Sequence, residues 1–170
     1  KVSHTGVYDR DILCGDCDNI LGHYESYAFD LFRKIRSQRF SAGKIISMND
    51  IEGDMLVRFA AGIAWKYAVT NPDRGRIDIG PYKDTLRMIA LSSGKIPQSV
   101  DVTILRIVEL DGDVYYYRTP MPDRKEGVNV VRFCLCGFLI FLKIDKRPPG
   151  NLLPEECWLR ARNIGTFMTL

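Results

Sequence analysis

Apolar residues fall into two regimes along the chain. Between Leu21 and Ile35 they recur at three- and four-residue steps: Leu21, Tyr24, Tyr27, Ala28, Leu31, Phe32 and Ile35. That period predicts an amphipathic helix. A second helical stretch follows "GKIISM", itself an expected short strand or extended connector. Its apolar set Met55, Leu56, Phe59, Ala60, Ile63, Ala64, Tyr67 and Ala68 is wide, as in a central buried helix. Asn49 or Asp50 is its expected cap, with Glu52 in the first turn. Asn71–Pro72 ends it. "RIDIG" suggests a short strand, and Pro81 then opens a third helix through Leu86, Ile89, Ala90 and Leu91, stopped at Gly94.

After residue 99 the pattern changes to β-rich runs. Val100–Leu110 and Val114–Thr119 flank an Asp-Gly turn, which predicts a hairpin. "GVNVVRFCLCGFLIFLKID" predicts one or two more strands, broken near Gly137. The Pro-rich "KRPPGNLLPEE" is a loop, and the tail from Cys157 has no clear period. The order is α+β by segregation: an N-terminal CxxC knuckle, about three helices, then an antiparallel sheet of about four strands. The 170 residues suit a single domain (1–170). Within it, 1–40 hold the knuckle and first helix, 41–98 the helical part, and 99–170 the sheet and tail.

Composition narrows the function classes only a little. The net charge of +3 is compatible with nucleic acid, without the dense Lys/Arg clusters that phosphate contacts alone would require. No apolar run reaches the ~18 residues of a membrane span, and nothing resembles a signal peptide. Five cysteines at irregular spacing make a poor disulfide framework, so reduced thiols and a cytoplasmic location are expected. The first residue is Lys1 rather than Met, which leaves open ligands lying before it. The oligomeric state has no sequence signal.

The most specific chemistry lies in "DRDILCGDCDNILGH". Cys14 and Cys17 are spaced C-x2-C, and Gly15 eases the turn between them. Two thiolates so placed chelate one Zn²⁺ at ~2.3 Å per bond, with two further ligands needed. His4, His23, or Cys134 and Cys136 are the candidates. Two plain thiols at a strand-to-helix junction, or a redox dithiol, are the other readings. Cys134 and Cys136 share one face if the strand runs through both, where small core residues are the commoner outcome.

The same stretch resembles the second half of the ββα-metal, or HNH-type, nuclease motif. Asp9 stands five residues before Cys14, and Asn19 and His23 follow the second cysteine. The resemblance implies a catalytic set of His4, Asp9 and His23. His4 would activate water, while Asp9 and either His23 or Asn19 hold a divalent ion on the scissile phosphate. The earlier C-x2-C pair of four-cysteine members is missing here.

Arg33, Lys34, Arg36 and Arg39 make the end of the first helix basic and are the candidate nucleic-acid contacts. Tyr115 to Tyr117 beside Arg118 offer a stacking surface, although tyrosine is also a good strand former. No Gly-rich phosphate loop and no Ser/His/Asp arrangement occurs. Two functions follow. One is a non-catalytic, zinc-stabilised bacterial or phage module that binds a protein or nucleic-acid partner. The other is an HNH-type metal-dependent nuclease.

Overall fold

A computed structural model describes residues 12–38, 42–109, 112–113 and 116–170. His4, Asp9, Arg39 and Tyr115 lie outside the described residues. Helix α1 spans Gly15–Arg36, strand β1 Ile45–Met48, helix α2 Gly53–Val69 and helix α3 Tyr82–Leu91. The strands that follow are β2 (Val100–Arg106), β3 (Val108–Glu109), β4 (Gly112–Asp113), β5 (Arg118–Lys125), β6 (Val128–Leu135), β7 (Phe138–Ile144) and β8 (Gly165–Thr169).

Six strands form one sheet in the order β1-β8-β2-β7-β6-β5. Every pairing is antiparallel except β2 with β8, so the sheet is mixed and larger than the four antiparallel strands expected. β2 pairs with β7 over its whole length, from Val100↔Ile144 to Arg106↔Phe138. The hairpin expected around the Asp-Gly turn shrinks to a two-residue ladder of β3 with β4. β2 matches the equally buried β7 better than the exposed, Pro-containing β5. β5 instead occupies a sheet edge, where Pro120 and Pro122 are tolerated.

Alternation assigns the faces. Val100, Val102, Ile104, Val131, Phe133, Ile140 and Leu142 join the buried residues of all three helices in one core. Phe32 of α1 stacks on Phe138 of β7 at 4.3 Å and meets Phe59 of α2 edge-on. On the opposite face Leu105, Val128, Val130 and Phe141 are covered by Leu152 and Leu153 of the loop after β7. "RIDIG" is not a strand. Ile77 and Ile79 are buried from an irregular segment that leads into α3.

Buried cations fasten the elements. Arg58 of α2 donates to the carbonyls of Ile89 (2.7 Å), Gly94 (2.6 Å) and Ser92, closing the end of α3. Arg106, at the end of β2, donates to the carbonyls of Ile35 (3.0 Å) and Gln38 (2.6 Å) at the end of α1. Helix ends leave carbonyls unpaired, and a guanidinium supplies several donors to them.

Lys143 of β7 is buried, with the carbonyls of Gln98, Ser99 and Asp145 around its ammonium. Asp145 accepts from the guanidinium of Arg147 at 2.9 and 2.6 Å and from the Asn129 N–H at 3.0 Å.

α2 starts later than the Asn49/Asp50 cap implied. Glu52 is the residue before the helix and makes no side-chain cap bond. Asp54, inside the first turn, accepts from the Ala161 N–H at 2.7 Å instead. The constraint here is Gly53, where an added Cβ would stand 1.8 Å from the Leu159 carbonyl oxygen. Gly53→Ala is therefore expected to destabilise the fold by about 3 kcal/mol or more, read from denaturant midpoints.

A second expectation concerns acid. The Arg147 guanidinium holds the Asp145 carboxyl well below the usual carboxylate range, and the backbone N–H donors add to this. A depressed carboxylate adds stability above its unfolded value, and that stability drains away as pH falls through the folded value. Asp101, pushed up by burial, works in the opposite sense, so the parent and Asp145→Asn are compared directly. Asp145→Asn should cost about 1–2 kcal/mol at pH 7, a difference that shrinks below about pH 4 in urea melts. A pH-independent difference would contradict this account.

Candidate functional site

The helix signalled from Leu21 begins two turns earlier, at Gly15, and Cys14 is its cap. Cysteine is not among the usual capping residues, which is why the start was hidden. Cys14 has extended backbone, with φ −82° and ψ 165°, and its Sγ accepts the Cys17 N–H at 3.5 Å. The cap and its third helical position therefore hold the two thiols. Cys14 is exposed and Cys17 half-buried. The Cys17 N–H and then the Cys17 thiol, both donating to Cys14 Sγ, lower the Cys14 thiol below its ordinary value. Its role as donor to Cys14, together with burial, raises Cys17.

These sulfurs open onto a cleft of about 670 Å³. Three elements supply its walls. α2 contributes Trp65 and Val69 from its last turns. The segment after it contributes Asn71, Pro72 and Arg76, and α3 contributes Lys83, Arg87 and Leu91. The segment after α2 is shaped by Asn71, whose side chain accepts the Asp73 N–H at 3.2 Å, and by Gly75 at φ +81°. Arg76 is aimed by a bond of its Nε to the Thr70 carbonyl at 2.5 Å. Lys83 and Arg87 are four apart and share an exposed stripe of α3, whose other face buries Leu86, Ile89 and Ala90. Among the described residues Asp84 is the only acidic side chain in the lining, against the cations Arg76, Lys83 and Arg87. Apolar Ile12, Trp65 and Leu91 give the floor a body that a stacked or packed group can cover.

α1 is held against α2 by close backbone approach and one ion pair. A Cβ on Gly62 would come within 2.9 Å of Leu21 Cδ2. Lys66 Nζ meets Glu25 Oε1 at 2.8 Å, half-buried.

His23 stands exposed on α1 against the Tyr24 ring, outside the cleft lining, and Asn19 is exposed one turn before it. Six residues separate His23 from Cys17, about 9 Å along the helix and on a different face. Among the described residues no three His, Cys, Asp or Glu side chains converge on a point that could hold a metal.

Cys134 is buried in β6, as a core residue, and burial raises its thiol. Cys136 does not continue the strand. It occupies the β6–β7 turn at φ +53°, followed by Gly137 at φ +82°, the signs of a type I′ hairpin turn. The two thiols therefore do not present one face to Cys14 and Cys17.

At the far end of α1, Arg33 and Lys34 are exposed, Arg36 is half-buried, and Arg33 pairs with Asp30. Tyr116 and Tyr117 are exposed, and the Tyr117 hydroxyl meets that of Tyr67 at 3.0 Å.

The cleft cations were not singled out from the sequence. Arg76 sits in a turn and Lys83 and Arg87 resemble any solvated helix face. Only the packing of α3 beside the end of α2 brings them to the thiols. No family model matches the chain, and no curated protein or solved structure matches it.

As a test of the cap geometry, limiting iodoacetamide at pH 7 on chelator-treated protein should give Cys14 as the first carboxamidomethylated cysteine. Cys17, Cys134 and Cys157 should follow, each raised by burial or by hydrogen bonding. Peptide mapping by mass reads the order, and prior labelling of Cys17 would refute the assigned donor direction.

Proposed function

We propose that the chain is a non-catalytic module, stabilised by Zn²⁺ on Cys14 and Cys17, that binds nucleic acid at the adjoining cleft. The observation that carries this reading is the juxtaposition of a chelating thiol pair with Arg76, Lys83 and Arg87 around one cavity. The two sulfurs fit half of a tetrahedral thiolate site, and the exposed Cys14 with its lowered thiol suits a metal ligand. Bound zinc would supply structural cross-linking of the segment before α1 to the helix, and no chemical step. The cations would take phosphates, and the apolar floor a base or sugar face.

The position of His23, exposed and away from the cleft, favours binding over the HNH-type cutting that would recruit His4, Asp9 and His23 to one ion. Basic Arg33, Lys34 and Arg36 extend the same reading to the other end of α1 as secondary phosphate contacts. The free cysteines fit a reducing compartment such as the cytoplasm. No helix of the described residues is long and apolar enough to cross a membrane.

Elemental analysis should find one zinc per chain, lost in Cys14→Ala/Cys17→Ala. Fluorescence anisotropy with a labelled oligonucleotide should show salt-dependent binding. Lys83→Ala/Arg87→Ala should weaken it about 10-fold and lower the salt slope by about 2, roughly one per lost contact. Unchanged affinity in that double variant, with binding to acidic peptide instead, would overturn the nucleic-acid assignment. Nicking of plasmid in Mg²⁺ or Mn²⁺ would overturn the non-catalytic one.

A further inference from the structure

Cys14 and Cys17 form a contacting dithiol at the mouth of a cation-lined cleft, a combination the metal reading does not exhaust. Their positions at a helix cap and three residues on set the two thiols one helical turn apart at the same end of α1. The Cys17 N–H donates to Cys14 Sγ at 3.5 Å, which turns the first sulfur back over the residue that carries the second. Cys14 is exposed to an incoming molecule, whereas Cys17 is half-buried behind it. Attacking and resolving positions are thus distinguished by access. Cys134 and Cys157 are buried, one in β6 and one before the loop to β8. Among the described residues, the cleft beside the dithiol is lined by Arg76, Lys83 and Arg87 against the single carboxylate of Asp84.

We propose that Cys14 and Cys17 close reversibly into an intramolecular disulfide by exchange with a small anionic disulfide received in the cleft, and that closure excludes metal from the same two sulfurs. This goes beyond the zinc reading and does not rest on it.

The exchange balances in two steps. The Cys14 sulfur, as thiolate, attacks one sulfur of R–S–S–R. The S–S bond of R–S–S–R breaks, a Cys14–S–S–R bond forms, and R–S⁻ leaves to take a proton from solvent. The Cys17 sulfur, after losing its proton to solvent, attacks Cys14 Sγ. The Cys14–Cys17 bond forms and the second R–S⁻ leaves and is protonated in turn. The protein dithiol is oxidised by two electrons and one small disulfide is reduced to two thiols. A dithiol reductant reverses both steps. Two sulfurs joined to each other retain no thiolate for a metal, so the closed and metal-bound states are exclusive.

Full-length, chelator-treated protein is incubated with glutathione disulfide, quenched with N-ethylmaleimide and digested with trypsin. The peptide from Asp11 to Arg33 carries both cysteines. It should lose two hydrogens and take up no maleimide, while the peptides with Cys134 and Cys157 remain labelled. Cys17→Ser should instead accumulate glutathione on Cys14. Lys83→Glu/Arg87→Glu, checked for unchanged folding by circular dichroism, should react with glutathione disulfide about 10-fold more slowly. It should react with neutral bis(2-hydroxyethyl) disulfide at the parent rate. A peptide that stays in the dithiol form, or glutathione left unresolved on Cys14 in the parent, overturns the proposal. Equal slowing with the neutral disulfide overturns the anionic assignment. Zinc found in the untreated protein together with no closure after chelation defeats the exchange alone. Closure in a chain that never holds zinc defeats the metal reading alone.

Discussion

The guanidinium of Arg106 under the end of α1 is the contact on which the rest of the geometry hangs. α1 has 22 residues and is about 33 Å long, and its two ends do different jobs. At the C-terminal end the Ile35, Arg36 and Gln38 carbonyls converge on one buried cation that belongs to the sheet. A buried cation costs several kcal/mol in lost hydration. Its cost is offset where donors are met, and here three helix-end carbonyls meet the two terminal nitrogens. The helix is thereby tied to β2 at one end, and the stack of Phe32 on Phe138 fixes its height over the sheet. What remains is the direction of its other end, which carries Cys14 and Cys17.

That direction is set by α2. Gly62 admits the Leu21 side chain, and the Glu25–Lys66 pair closes the same interface. α3 is hung from α2 by the same kind of contact as α1 from the sheet, with Arg58 collecting its terminal carbonyls. The cleft is the space left where the start of α1, the end of α2 and the exposed face of α3 meet. Two of its cations, Lys83 and Arg87, stand on α3, which the Arg58 bonds and the buried Leu86 and Ile89 hold in place.

Much of this was legible in the sequence, and the misses have identifiable causes. The three helices follow from apolar periodicity, and their ends at Asn71–Pro72 and before Gly94 follow from backbone chemistry. The first helix was placed late because Cys14 caps it with a sulfur, for which no composition rule exists. Strand partners are not legible in the sequence, because periodicity says which residues alternate, not which strand lies alongside. β2 lies beside β7 in the sheet, and β3 pairs with β4 over two residues only. The C-x-C spacing implied one face until Cys136 adopted positive φ in a turn. Of the candidate site, the thiol pair was legible from spacing. Arg76, Lys83 and Arg87 were not, since nothing local separates a cleft-lining cation from a solvated one.

The β1–β8 pairing has a consequence in time. β1 has β8 as its sole sheet neighbour, and the Lys44 N–H donates to Thr169 Oγ1 across 125 residues of chain. The β6–β7 ladder, by contrast, turns on two residues. Loop closure penalises the long pairing before any contact rewards it. Loop-closure entropy therefore favours the meander β5–β6–β7 over the β1 side of the sheet as the earlier part to form. Until β8 arrives, the outer edge of β2 and the apolar Ile46 and Phe167 stay uncovered. Of the two edges of the sheet, the β1 margin is the one closed across the longest stretch of chain, and it lies opposite the proline-guarded β5 edge.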